Sequence, residues 1–210
     1  MMNFFTFEGG EGSGKSTQAK MLYSSFVDAG IDTLLTREPG GTESAEVIRD
    51  LLINSSSTFH PMSQLLLHNA SRYEHATNKI IPALQNNKIV ICDRFVDSTM
   101  AYQGFGQKLG KKIPALLHNL LMEGLSPNLT FILDIDPEKG LKRATKNGTD
   151  NYEKLDLDFH RRVRNGFLEI ANLAKNRCIV INANNSASEI HNMIIENINA
   201  IAGFDLKSTK

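Results

Sequence analysis

Short apolar runs alternate along this chain with longer stretches of helical periodicity. Runs at residues 3–8, 31–36, 88–92, 129–134 and 178–182 are rich in apolar and β-branched side chains and have the length of buried strands. Between them, residues 18–29, 42–53, 62–85, 113–123, 137–146, 153–174 and 186–202 repeat apolar positions every three or four residues, the spacing of helices with one buried face. Pro137 suits a first helical turn, and Ser186 with Glu189 three residues on has the form of a capping box. Strand and helix in alternation predict a three-layer α/β/α fold: a five-stranded parallel sheet with helices on both faces. The 210 residues read as a single domain, 1–210, with a short lid at 144–153 and a loose tail from Asp205.

Composition narrows the partners. Lysine plus arginine equals aspartate plus glutamate, 23 against 23, so the chain lacks the basic footprint that grips a nucleic acid polymer. Cys92 and Cys178 both lie in strand-like runs with no metal or redox spacing, as inert thiols of a reducing compartment would. No apolar run approaches the roughly 20 residues of a membrane span, and the N-terminus has no basic region ahead of its apolar opening. The expected location is the cytoplasm, with no membrane partner.

In open parallel sheets, ligands gather outside the carboxyl ends of the strands. The first predicted strand ends in Glu8 and is followed by Gly9-Gly10-Glu11-Gly12-Ser13-Gly14-Lys15-Ser16-Thr17, a match to Gly-x-x-x-x-Gly-Lys-Ser. Glycines there let backbone N–H groups converge on phosphate oxygens at a helix N-terminus, and residues 9–17 are expected to bind ATP. Lys15 would sit against the β and γ phosphates, and the Ser16 hydroxyl would enter a magnesium shell. The second strand ends in Arg37-Glu38-Pro39-Gly40-Gly41-Thr42, and the third in Asp93-Arg94. Asp93 reads either as a helix cap or as a carboxylate holding magnesium, and Arg94 beside it offers a planar fork to a second phosphate. A protein that moves a phosphoryl group onto another phosphate needs two such pockets with cations between them.

The segment 93–104, together with the phosphate loop and residues 37–42, resembles thymidylate kinases, and the likeness extends through residues 65–72 and 159–164 to nearly the whole chain. The resemblance implies transfer of the γ-phosphoryl group of ATP to dTMP, giving ADP and dTDP for dTTP and DNA precursor synthesis, with magnesium, in a homodimer. By the same resemblance Arg72 bonds the exocyclic oxygen of thymine, and His68, one turn earlier, stacks on the base. Thr99 reads the pyrimidine edge, Gln103 lines the same wall, and the Tyr102 ring fills the space a ribose 2′-hydroxyl would need. Arg37 and Arg94 hold the dTMP phosphate, Ser16 and Asp93 hold magnesium, and Glu8 faces the metal or the acceptor. From the residues alone, Arg72 could instead pair with Glu74, Tyr102 could be core, and Arg161, Arg162 and Arg164 read as an exposed or dimer-facing charge run. The rival functions are a P-loop kinase acting on another deoxynucleotide or deoxynucleoside, and a nucleotide-binding switch.

Two departures from the family pattern bear on mechanism. His68 stands where an aromatic, commonly phenylalanine, is usual, so a neutral imidazole is expected as base platform and His68→Phe is expected to keep or improve dTMP affinity. Gly12 stands where some members carry a catalytic arginine, yet residues 144–153 contain no arginine, with Asn151 where a lid arginine is common. Arg143, helped by Lys146, is therefore expected to supply the catalytic cation. The lid and a loop at 104–110 are expected to close and exclude water.

Overall fold

The computed structural model describes residues 2–55, 59–144, 152–153 and 155–207. Five strands form one parallel sheet: β1 (Phe4–Glu8), β2 (Thr33–Arg37), β3 (Ile89–Asp93), β4 (Leu129–Asp134) and β5 (Cys178–Asn182), in the order β2-β3-β1-β4-β5. Strand β1 lies at the centre and is covered on both faces, so all of its residues are buried, the three phenylalanines as well as Thr6 and Glu8. Phe5, Phe7, Phe131 and Leu133 face Leu22 and Phe26 of α1 (Lys15–Asp28) and Ile194 and Ile198 of α9 (Ala187–Ala202). On the opposite face Ile132 meets Phe159, Val163 and Phe167 of α8 (Leu157–Leu173), while Phe4, Val90 and Cys92 meet Ile80, Ala83 and Phe95.

The remaining helices are α2 (Glu43–Ile53), α3 (Pro61–His75), α4 (Ile81–Gln85), α5 (Val96–Thr99), α6 (Lys112–Met122) and α7 (Pro137–Ala144). Pro137 opens α7, and the Ser186–Glu189 capping box closes both of its hydrogen bonds at the start of α9. Helix α8 begins at Leu157, later than the periodicity suggested, because the Asp156 carboxylate accepts from the Phe159 N–H at 2.6 Å and caps it there.

Three expectations are corrected. The stretch 62–85 is one rod interrupted by a π-helical turn, Ala76–Ile80, directly before α4, where Pro82 has no N–H to give the helix ladder. Residues 96–106 are helical, α5 followed by a π-helical segment, Met100–Gly106, so residues 104–106 belong to a packed element and not to a loop. Sequence periodicity misses this element because it is buried nearly all round and rich in glycine. Finally, Leu206 is buried and exchanges two 2.9 Å hydrogen bonds with the Asn199 side chain, while Phe204 packs on Phe5 and Phe26, so residues 204–206 are docked against the core. Residues 145–151 and 154, most of the expected lid and with them Lys146, Asn151 and Lys154, lie outside the described residues.

The segment 100–106 is held by close approach to α8. A Cβ on Gly106 would come within 2.6 Å of the Phe159 ring and 2.9 Å of Val163. Gly106→Ala is expected to cost about 1–3 kcal/mol of unfolding free energy through overpacking; urea unfolding should show a lower midpoint with an unchanged slope.

Candidate active site

The register Phe7↔Asp93 sets the loop after β1 beside the turn after β3, at the point where the chain leaves β1 for opposite sides of the sheet. A cleft of about 470 Å³ opens there and runs from the phosphate loop to His68 and Tyr152. The loop's backbone demands glycine. Gly9 has φ 138° and a Cβ on it would lie 2.5 Å from the Leu133 carbonyl oxygen. Gly14, at φ 93°, leads into α1 without a side-chain cap, and the first turn of α1 holds no acidic residue, so its N–H groups face the cleft open to an anion. Lys15 folds back on the loop, donating to the Gly10 carbonyl at 2.7 Å. Burial, and then the charge of Arg94, lower its pKa to about 8.

Ser16 hydrogen-bonds one oxygen of Asp93, and the other, Oδ1, is buried with no protein partner. A hydroxyl beside a half-satisfied carboxylate suits a divalent cation whose other ligands come from phosphate and water. Among the described residues no group of three or more His, Cys, Asp or Glu side chains gathers to hold a metal unaided.

Arg94 adopts φ 68° and lies next to the loop. Its Nη2 is 2.9 Å from both Glu11 carboxylate oxygens, and its Nη1 donates to the Gly9 carbonyl and the Tyr102 hydroxyl, each at 3.3 Å. Tyr102 donates to Glu11 at 2.6 Å. Burial would raise the Glu11 pKa, but Arg94 and Lys15 hold the carboxyl down at about 2. The Glu11 side chain thus turns toward Arg94 and Tyr102. Glu8 departs from expectation. It is fully buried, its Oε1 accepts from the Phe95 N–H at 2.8 Å and its Oε2 from the Ser98 hydroxyl at 2.5 Å. Both oxygens thus bond the turn that carries Arg94, and Glu8 braces that arginine. Burial, and then Asp97, push its pKa up to about 8.

At the far end of the cleft, Arg72 is almost wholly buried. Its Nε donates to Glu38 at 2.8 Å and its Nη2 to Thr99 Oγ1 at 2.6 Å, while Nη1 has no protein partner. Its ion pair is with Glu38 and not with Glu74; Glu38 in turn bonds His75 Nδ1 at 3.1 Å. His68, Gln103 and Tyr102 line the same wall, and Gln103 Oε1 is also unpartnered. Burial, and then Arg72, lower the His68 pKa from 6.5 to about 3, so its imidazole is neutral. Arg37 stands at the rim, half exposed, with Nη2 3.0 Å from both oxygens of Glu46. Arg143, in the last turn of α7, lines the opposite rim and donates to the Ala183 carbonyl at 2.9 Å. Arg161, Arg162 and Arg164 stay out of the cleft: they pair with Asp158 and Glu138, with the Gly106 carbonyl, and with Asp134.

Sequence reading overlooked Glu38, Ser98 and Tyr152 as parts of this site. Glu38 was visible in the charged turn after β2, but its burial against Arg72 depends on the packing of α3. Tyr152 carries no local signal, being one aromatic in a polar stretch.

An uncapped phosphate loop, a magnesium-suited Ser16–Asp93 pair and a second cationic pocket across the cleft define a P-loop phosphotransferase of the nucleoside monophosphate kinase class. Residues 7–194 match the family model described as thymidylate kinase. Thymidylate kinase of Geobacillus sp. (strain WCH70) is 43% identical over 196 residues, which cover 91% of this chain and 93% of that one. That of Wolbachia pipientis subsp. Culex pipiens (strain wPip) is 45% identical over 197 residues, covering 92% and 94%. The crystal structure of thymidylate kinase from Ehrlichia chaffeensis superposes with a TM-score of 0.79 at 37% identity, covering 94% of this chain and 98% of that one. The chain belongs to the thymidylate kinase family. Among its described residues no helix is long and apolar enough to cross a membrane.

The neutral His68 has a measurable signature. Below pH 6.5 the unfolded chain binds a proton there that the folded chain refuses until about pH 3, so this residue's contribution drains away as pH falls. The loss of unfolding free energy between about pH 7 and about pH 5 is expected to be smaller by about 2 kcal/mol in His68→Phe. Equal losses in urea titrations of the two proteins would show that His68 is not held neutral.

Proposed function

We propose that the chain transfers the γ-phosphoryl group of ATP to dTMP, giving ADP and dTDP, with the phosphate loop as donor site and the Arg72 end of the cleft as acceptor site. The observation that carries this assignment is Arg72 Nη1: a buried cationic donor with no protein partner, in the same cleft as the phosphate loop. A buried N–H left unpaired is costly, and a base oxygen would satisfy it.

An oxygen of the dTMP phosphate attacks the γ phosphorus in line as the bond to the β–γ bridging oxygen breaks, and catalysis of such a transfer is positioning and charge stabilisation. Residues 9–17 cradle the donor phosphates, with Lys15 reaching the β and γ groups. Arg94, assisted from the rim by Arg37, holds the acceptor phosphate. Glu8 acts through Arg94, by fixing the turn that presents it. Ser16 and Asp93 would hold magnesium, which when bound neutralises charge on the β and γ phosphates. His68 stacks on the base, Thr99 and Gln103 face its edge, and Tyr102 closes the space beside the sugar. Arg143, at the donor rim, supplies the cation that Gly12 cannot.

The chain acts as a homodimer. Val47 and Leu51 of α2, Leu66 and Tyr73 of α3, and Leu116 and Leu120 of α6 are exposed, and α3 packs against both other helices. An apolar face of this kind supports burial against a second copy.

Coupled ADP release with ATP and magnesium is expected to be strong with dTMP, weaker with dUMP, dCMP and dGMP, and nearly absent with UMP. Comparable rates with all acceptors would discard the roles given to Arg72 and Tyr102, and the absence of acceptor-dependent release would discard the kinase. Light scattering should give a dimeric mass for the wild type and a monomeric mass for Leu120→Glu; a monomeric wild type at micromolar concentration would refute the dimer.

A further inference from the structure

Tyr152 joins elements that are distant in sequence. Its hydroxyl lies 2.8 Å from His68 Nε2 on α3 and 3.1 Å from Gln103 Nε2 on the segment 100–106. It also lies 3.1 Å from Gln64 Oε1, which in turn receives Gln107 Nε2 at 2.6 Å. A phenol has one hydrogen to give and two lone pairs to fill. All three contacts are satisfied when Tyr152 donates to Gln64 and accepts from Gln103 and from a neutral imidazole carrying its proton on Nε2. The Tyr152 ring stands perpendicular to the Tyr102 ring at 5.6 Å, and Tyr102 contacts Glu11 and Arg94. A continuous chain of contacts therefore runs from His68 to the phosphate-holding end of the cleft.

We propose that the His68–Tyr152 hydrogen bond fixes Tyr152 as a wall of the acceptor pocket, making His68 a positioning residue for that wall as well as a platform for the base. This rests on the acceptor assignment above. A phenylalanine at position 68 would keep a ring facing the base but would leave the Tyr152 hydroxyl one partner short. His68 thus has work that a phenyl ring cannot do, since the bond needs an N–H donor. The consequence reverses the expectation from stacking alone: His68→Phe weakens acceptor binding.

The test is a double-mutant cycle of His68→Phe and Tyr152→Phe, with His68→Gln as a further variant, reading kcat and the KM values for dTMP and ATP. Each phenylalanine substitution is expected to raise KM for dTMP about threefold to tenfold, the range of one net hydrogen bond. The KM for ATP and kcat should stay within about twofold, as when ground-state binding alone is lost. The double variant should be no worse than the poorer single one, because both remove the same bond. His68→Gln, which keeps an N–H donor and loses the ring, should lie closer to wild type than His68→Phe. An unchanged or lowered KM for dTMP in His68→Phe, multiplicative effects in the double variant, or a glutamine variant worse than the phenylalanine one would each overturn the proposal. Absence of dTMP-dependent turnover in the wild type would instead overturn the acceptor assignment itself.

Discussion

The site depends on one guanidinium, that of Arg94, held against the phosphate loop in a backbone conformation that a residue with a Cβ seldom adopts. A left-handed φ of 68° at a non-glycine residue costs of order 1–3 kcal/mol and persists only where neighbours over-determine it. Here they do. The Arg94 N–H bonds the Phe7 carbonyl at 2.9 Å, the next N–H bonds buried Glu8, and Glu38 N–H bonds the Asp93 carbonyl at 3.0 Å. The side chain is then neutralised by Glu11, a residue of the loop itself. The loop and Arg94 are thereby built as one unit, and the parallel register of β1 with β3 fixes their spacing.

The same unit explains why the loop carries Gly12. A Cβ there would lie 2.0 Å from the Gly140 carbonyl oxygen, and a Cβ on Gly140 would lie 2.3 Å from the Glu11 carbonyl oxygen. Helix α7 therefore rests directly on the loop, glycine against glycine. With α7 in this place an arginine at position 12 has no room, and the Cβ of Arg143 already lies within 3.0 Å of where the side chain would begin. Glycine at position 12 and the close docking of α7 are two sides of one packing choice. That choice brings Arg143 to the rim of the cleft.

Electrostatics divides the cleft. Toward the loop, charged groups are paired: Arg94 with Glu11, and Lys15 beside both. Toward the base end, Arg72 spends its charge on Glu38, and the groups facing the ligand are neutral amides, hydroxyls and an imidazole that burial keeps unprotonated. That division matches the proposed placement of phosphates at the charged end and a base at the neutral one.

Local chemistry in the chain was enough to determine the five strands, most helices and the phosphate loop, because hydrophobic period, capping residues and glycine spacing are properties of contiguous segments; the grouping of Arg72, Thr99, Tyr102 and Gln103 rests on the family resemblance of the motifs that carry them. It was not enough for the helix at 96–106, whose Gly106 meets Phe159 and whose Phe105 meets Gly166 across the fold, nor for the docked Leu206, whose partner Asn199 is reached only after the chain turns back. Nor does anything local tell that Glu8, a carboxylate at a strand end, meets the Phe95 N–H and the Ser98 hydroxyl. The Glu11–Arg94 pair and the His68–Tyr152 bond join residues 83 and 84 positions apart, and only the packing of helices on the sheet decides such encounters. Sequence determined which groups were available; the tertiary structure decided which of them were satisfied by protein and which, like Arg72 Nη1 and Asp93 Oδ1, were left for a ligand.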